Sequence, residues 1–444
     1  MNLKWSQFLF GVESTNGKNE IIIRNTLTGA VLKIEKQVKK SIDDFLQDKD
    51  GGISKRIENY INQLTKHSIL VPLDMDESEE YCKLFQRARK NSSMFVVHVV
   101  TTTNCQLNCP YCYETGIKEK IMNFETADKI ILWCSNYLNR NNKCSKFRVI
   151  WYGGEPLLNK KVIQYILPQL HRLSKEKNIQ FDNQIVTNGV LLNKEIVSFL
   201  AWYNLSRIQV TLDGPKRLHD QRRSKKNGEG TFDQIFQNIL DSFNSAVVKK
   251  ISLRLNFDKH NIGSIPELLD LLIKHKLQEK IELSFGIITS TIRNNSQKRM
   301  ENYLDKYCFN DIENIKSYLW LYKKAKEKGF VMPNEFMLGP WCVARDVHSV
   351  IIEPDGSLVK CFSGVGRKEF KFGDIDLTLN CDDPRFSDFR YFRKCLQQKC
   401  PYLPICGGGC RFEAFIHVGN FQKNYCQLKL IEGINKGLTQ INYS

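Results

Sequence analysis

The sequence predicts an α/β fold in three segments, on three observations. Six short apolar runs between residues 94 and 285 are each followed by a stretch of helical periodicity, the mark of parallel strands joined by crossover helices. Shorter strand-like runs followed by helices occupy residues 1–90. Eight of the fifteen cysteines crowd between Cys342 and Cys426. The chain therefore reads as a mixed module over 1–90, a strand–helix domain over 91–330 and a loop-rich tail over 331–444.

In the first module, Phe8–Val12, Glu20–Arg24 and Ala30–Ile34 alternate or run apolar, with Asn16-Gly17 and Thr28-Gly29 as hairpin loops. Val38–Leu46 and Ile53–Leu64 carry apolar residues at helical spacing. Asp76–Lys90 begins acidic and ends basic, as the helix dipole favours. This order fits a small sheet packed on winged-helix-like helices, a module that can bind DNA. Residues 1–90 hold 15 Lys and Arg against 13 Asp and Glu, too even a balance for a phosphate-binding face. Peptide capture at a strand edge is the expected use.

The strands of the middle segment are Met94–Val100, Arg148–Trp151, Gln184–Val186, Ile208–Val210, Ile251–Leu255 and Ile281–Phe285. Six is short of the eight that close a barrel, which leaves an open partial barrel or a doubly wound sheet. In the tail, Pro401, Pro404 and Gly407-Gly408-Gly409 lie among the cysteines, and continuous apolar runs are few. Burial alone would hold such a segment poorly, and metal centres can supply the missing stability.

Composition narrows the class. Of 444 residues, 42% are apolar and 25% charged, near globular averages, which excludes disordered and fibrous proteins. No apolar run reaches the roughly 18 residues of a membrane span, and Met1-Asn2-Leu3-Lys4-Trp5 does not open a secretory signal. A cytoplasmic location with no membrane partner is expected. An odd number of cysteines in a reducing compartment points to metal ligation rather than a disulfide framework. The net charge of +17 is read as a solvated, Lys-rich surface, and nucleic acid is not an expected partner.

The sharpest motif is Cys105-Gln-Leu-Asn-Cys109-Pro-Tyr-Cys112, directly after the first strand of the middle segment. Three thiolates so spaced can each hold one iron of a [4Fe-4S] cube and leave the fourth iron open. A structural zinc would need a fourth ligand nearby, and a bacterial ferredoxin a further cysteine three residues on. Thr115 and Gly116 occupy that stretch instead.

With Tyr111 before its last cysteine, this motif resembles that of the radical S-adenosylmethionine (SAM) enzymes. The resemblance implies a partial (β/α)6 TIM-like barrel. It also implies that S-adenosylmethionine chelates the open iron and is split by one electron to a 5′-deoxyadenosyl radical that abstracts a substrate hydrogen. Gly153-Gly154-Glu155-Pro156 follows the second strand, Thr187-Asn188-Gly189 the third and Thr211-Leu212-Asp213-Gly214-Pro215 the fourth. All lie at carboxyl ends of parallel strands, where barrels gather their sites. By resemblance, Tyr111, Gly153, Gly154, Glu155, Asn188, Thr211 and Asp213 contact the cofactor, Glu155 near its ammonium. Asn256-Phe-Asp258 follows the fifth strand as either a cap or part of the site, and His219 with Arg223 reads as a surface-loop pair.

The tail resembles the iron-sulfur SPASM domain appended to radical enzymes that modify peptides. Gly356 precedes Cys361 by five positions, and Cys400, Cys406 and Cys410 are separated by five and three residues. By resemblance, Cys342, Cys361 and Cys410 hold one auxiliary [4Fe-4S] cluster. Cys400, Cys406 and Cys426 hold a second, with Cys395 as its fourth ligand, for three clusters in all. The family pattern has a cysteine three positions before Cys400, where this chain has Gln397, so Cys395 sits two residues early. Cys82, Cys134, Cys144, Cys308 and Cys381 fit no cluster and read as small apolar residues.

These resemblances imply a maturase of a ribosomally made precursor peptide. Its first module would hold a leader segment, a flavodoxin or ferredoxin would supply electrons, and the product would be a cysteine thioether or carbon–carbon cross-link. The alternatives are an anaerobic sulfatase-maturing enzyme that forms formylglycine and, in another class, a metal-stabilised nucleic-acid-binding protein.

Overall fold

The computed structural model describes every residue except 1, 18, 48–53, 92, 245–247, 290–297, 338–341 and 388. The chain forms two compact units. Met1–Arg89, Pro333–Cys342 and Asp388–Ser444 make the first, and Lys90–Met332 with Val343–Ser387 the second. The cysteine-rich tail is thus divided between them.

In the first unit, β2 (Leu9–Glu13), β3 (Glu20–Asn25) and β4 (Val31–Glu35) form an antiparallel meander. The short strands β1 (Leu3–Trp5) and β5 (Leu70–Pro72) pair separately. Helices α1 (Lys36–Leu46), α2 (Lys55–Lys66) and α3 (Glu77–Arg89) follow the expected order. Ile53, where the second helix was expected to begin, lies outside the described residues; Ser54 caps α2 by accepting from the Ile57 N–H. The meander is covered on both faces. Ile23 and Ile34 pack with Val38, Ile42 and Leu64, while Phe10, Val12 and Ile22 pack with Tyr402, Ile405 and Ile431. Adjacent Ile22 and Ile23 are both buried because successive strand side chains point to opposite faces.

The second unit is built on one nine-stranded open sheet. Its strands are β6 (Met94–Thr102), β7 (Lys146–Gly153), β8 (Gln180–Thr187), β9 (Leu205–Thr211), β10 (Ile251–Phe257), β11 (Ile281–Ile287), β12 (Ser349–Ile352), β13 (Ser357–Val359) and β14 (Lys371–Asp374). The first six lie side by side, parallel and in chain order, as the apolar runs predicted. Helices α4 (Phe124–Arg140), α5 (Lys160–Glu176), α6 (Lys194–Trp202), α7 (Lys216–Arg222), α8 (Phe232–Asn244) and α9 (Ile265–Lys274) return the chain between them, and α10 (Lys298–Tyr307) and α11 (Asp311–Glu327) follow. The sheet does not end at β6: β12 pairs beside it in parallel, and β13 and β14 extend that edge antiparallel. Val97, Val149, Trp151, Ile185, Val210 and Leu253 fill the core. All six parallel strands bring their carboxyl ends to one rim, so the loops after them converge. Among the described residues no helix is long and apolar enough to cross a membrane.

Candidate metal and cofactor site

Within the second unit, a cavity of about 470 Å³ opens at the rim, lined by Cys105, Cys109 and Cys112 together with Tyr111, Gly153, Gly154, Asn188 and Thr211. That volume suits a cofactor-sized ligand. Burial pushes the Cys105 thiol up to about 11, and burial raises Cys109 and Cys112 as well. Thiolates here need positive charge to balance them, which iron supplies on ligation. The Asn188 side-chain amide donates to Cys105 Sγ at 3.6 Å. Among the described residues no three or more His, Cys, Asp or Glu converge as the ligands of a single metal ion. The three thiols line a space instead.

Glu155 and Asp213 stand apart from the other expected cofactor contacts. Both are fully buried. Glu155 accepts from the Leu157 N–H at 3.0 Å, the Thr187 hydroxyl at 2.8 Å and the Asn188 N–H at 2.7 Å, and burial pushes its carboxyl up to about 7. Its side chain ties the loop after β7 to the loop after β8. Asp213 accepts from the Tyr111 hydroxyl and, at 3.1 Å, from the Asn256 N–H. Glu155 thus braces the loops that follow β7 and β8.

The two glycines before Glu155 have a packing reason that the motif alone did not reveal. Gly153 sits at φ +143°, and a Cβ there would overlap the Thr102 carbonyl oxygen; a Cβ on Gly154 would lie 2.6 Å from the carbonyl oxygens of Thr103 and Asn104. This close approach lets the Gly154 N–H donate to Thr102 at 3.1 Å and the Glu155 N–H to Asn104 at 2.9 Å.

His219 and Arg223, read as a surface-loop pair, are buried at 0% and 7% exposure. The correction follows from α7, which turns the segment after Pro215 inward. His219 Nδ1 accepts from the Asp213 N–H at 3.3 Å, and its Nε2 lies 3.1 Å from Thr231 Oγ1. Arg223 lines the cavity, donates to the Tyr111 hydroxyl at 3.0 Å and has an Nε with no partner among the described residues. Beneath it, Arg222 meets both Asp258 oxygens at 2.8 Å and Asp213 at 3.5 Å, all three fully buried. Asp258 therefore belongs to the support of the site. Sequence spacing missed Arg223 because its partner Tyr111 is 112 positions away.

The remaining cysteines are placed unit by unit. In the first, the helix Arg393–Gln397 ends in left-handed Lys399, at φ 48°. The Lys399 N–H donates to Leu396 and the Cys400 N–H to Cys395, each at 2.9 Å, a Schellman turn that folds Cys400 back toward Cys395. Burial raises the Cys395 thiol, the Asn424 amide donates to it at 3.3 Å and Cys426 adds to the rise; Cys395 and Cys426 act likewise on Cys400. Arg411 joins the glycine run to the segment before Cys426 by donating to the carbonyls of Gly408, Gly409, Phe421 and Lys423. Cys406 packs beside the Phe10 cluster, and burial raises the half-buried Cys410 thiol, with the Glu413 and Cys342 charges adding to the rise. In the second unit, Cys361 precedes cavity-lining Phe362, and its charge is felt at Tyr113. Cys134, Cys144 and Cys381 are buried.

The profile of the radical SAM superfamily matches residues 99–305. Among curated proteins, the chain is 27% identical over 176 residues to an Fe-coproporphyrin III synthase of Methanosarcina barkeri, a match that covers 40% of each protein. It is 23% identical over 346 residues, 70% of this chain and 86% of the other, to a cysteine-type anaerobic sulfatase-maturating enzyme of Clostridium perfringens. Among solved structures, anSMEcpe with bound AdoMet and Cp18Cys peptide superposes with TM-score 0.60 at 17% identity, over 79% of this chain and 97% of that one. Streptococcus suis SuiB bound to its precursor peptide SuiA gives 0.53 at 15%, over 96% and 99%. These two likenesses show a shared fold. The profile match places a radical SAM domain over residues 99–305, around the cysteine loop at the sheet rim, and marks the chain as an enzyme with sulfatase-maturating enzymes among the proteins it is similar to.

Proposed function

We propose that the chain matures a ribosomally made precursor peptide by installing an intramolecular cross-link, a thioether from cysteine sulfur to carbon, with a carbon–carbon bond as the alternative product. The observation that carries this reading is the cavity in which three thiols, the Nε of Arg223, without a partner among the described residues, and a wall of Tyr113, Tyr152 and Phe362 share one space. The donor set fits a cube held by Cys105, Cys109 and Cys112, with Arg223 placed to take the carboxylate of an amino-acid-bearing cofactor. With S-adenosylmethionine bound, that pair supplies one-electron hydrogen abstraction.

The chain's own residues do the positioning. Gly153 and Gly154 present backbone to the cofactor, Asn188 donates to Cys105, Thr211 offers a hydroxyl, and Tyr111 orients Arg223. Glu155 and Asp213 hold those residues in place from behind. In the tail, Cys342, Cys361 and Cys410 are proposed for one auxiliary cluster and Cys395, Cys400, Cys406 and Cys426 for the other, with the Lys399 turn accounting for the early Cys395. The β2–β3–β4 meander of the first unit is proposed to take a leader segment by strand addition, and a flavodoxin or ferredoxin to deliver electrons in the cytoplasm.

Co-expression with a short, cysteine-rich reading frame adjacent to the gene, followed by mass measurement, tests this reading. Each cross-link removes two hydrogen atoms from the peptide. Formylglycine formation is the second reading, favoured by the similarity to the sulfatase-maturating enzyme over 346 residues. From cysteine it would also exchange sulfur for oxygen, which the same mass measurement separates.

A further inference from the structure

The cavity holds a second arginine that the cofactor reading does not use. Arg254 lies on β10 opposite Thr211 of β9 and Ser284 of β11, and its side chain lines the cavity. Three acceptors fix the guanidinium: Nε donates to Asn256 Oδ1 at 3.0 Å, and Nη1 to Ser284 Oγ at 3.1 Å and the Phe285 carbonyl at 3.3 Å. Gly286 makes the room, because a Cβ there would overlap both Arg254 Nη2 and Asn256 Oδ1. Nη2 has no acceptor, and the residue no carboxylate in ion-pair contact, among the described residues. Of the carboxylates around it, Asp213 is already held by Tyr111, Asn256 and Arg222, and Glu114, which lines the same cavity, makes no ion pair with Arg254 among the described residues.

A guanidinium so held and largely removed from water is costly to leave without an anion. Its polar contacts are to Asn256, Ser284 and Phe285 on β10 and β11, whereas Arg223 donates to Tyr111 of the cysteine loop. The two arginines therefore serve different parts of the cavity. We propose that Arg254 is a substrate-binding residue that takes a carboxylate of the peptide, an acidic side chain or the chain terminus, separately from the carboxylate of S-adenosylmethionine. The anion site follows from the geometry, and only the peptide as its source depends on the maturase reading.

The test uses full-length enzyme with reconstituted clusters, as wild type, R254Q and R254K. Dissociation constants are measured first for S-adenosylmethionine. They are then measured on the cofactor-loaded enzyme for glutarate, its uncharged analogue glutaramide, and acetyl-Gly-Cys-Glu-Gly-amide with its Gln counterpart. Wild type should prefer each carboxylate over its amide by about tenfold or more. R254Q should lose that preference and R254K keep part of it, with S-adenosylmethionine affinity changed less than about twofold in both variants. A tenfold loss of cofactor affinity in R254Q would assign the carboxylate to the cofactor and overturn the proposal, as would equal glutarate binding by wild type and R254Q. Glutarate selectivity without any peptide binding would uphold the anion site and reject a peptide as its source.

Discussion

The backbone N–H of Glu155 donates to the carbonyl of Asn104 at 2.9 Å, which fastens the turn after β7 to the residue directly before Cys105. The cysteine loop is therefore anchored by its neighbouring strand as well as by its own.

Gly154→Ala should break that anchor. The new Cβ meets backbone oxygen at 2.6 Å, and backbone has no rotamer to escape into. A cost of about 2–4 kcal/mol is expected, together with loss of iron from the first cluster. Iron content and the thermal midpoint of anaerobically reconstituted protein check this; a variant that loads normally would show that the anchor is dispensable.

Arg222→Met should be more severe. It leaves Asp213 and Asp258 buried without their cation, at a cost of about 3–5 kcal/mol. Denaturant unfolding measures it, and Arg222→Lys should recover only part because one ammonium cannot meet Asp258, Asp213 and the Asn256 carbonyl together.

Tyr111→Phe removes the hydroxyl that Arg223 donates to at 3.0 Å and leaves Asp213 short of a donor. Loss of about 1–2 kcal/mol of orientation should weaken S-adenosylmethionine binding roughly tenfold with little change in iron content. Unchanged affinity in a titration of the loaded enzyme would separate Tyr111 from the cofactor.

His219 makes stability depend on acid. Burial first, then the neighbouring Arg223 charge, lowers its pKa from 6.5 to about 3. Between those values the unfolded chain binds more protons, so the stabilisation present above pH 6.5 is lost as pH falls toward 3, with a slope of up to about 1.4 kcal/mol per pH unit. His219→Asn, which can still accept from the Asp213 N–H, should flatten the unfolding midpoint against pH between about 6.5 and 5 relative to wild type.

The parallel sheet was legible because buried strands declare themselves as apolar runs, and the rim followed because parallel strands share a carboxyl edge. The extra edge was not. Strands β12 to β14 are three or four residues long, too short for periodicity, and join the sheet only through pairing with β6. Nor was the second face of the β2–β3–β4 meander, since Tyr402 and Ile431 are 392 and 421 positions from Phe10. At the candidate site, the cysteine, glycine and Asn188 motifs could be read locally. Arg223 and Arg254 could not, because a charge looks exposed until its distant acceptors are known.

The Lys399 turn gives the tail its own prediction. Lys399→Gly should keep the left-handed turn and full iron loading, whereas Lys399→Val strains it. Both Lys399→Val and Cys395→Ala should lose about a third of the iron if three cubes are present, and Cys381→Ala none. Equal iron in Cys395→Ala and wild type would remove Cys395 from the ligand set.

The most direct measurement is the electron paramagnetic resonance spectrum of the reduced, anaerobically purified enzyme with and without S-adenosylmethionine, run beside a variant in which only Cys395 and Cys410 are replaced. A cubane signal that persists in the variant and shifts on adding the sulfonium compound is the outcome expected of an open iron at Cys105, Cys109 and Cys112. Zinc in place of iron, or a signal indifferent to the added compound, would contradict it.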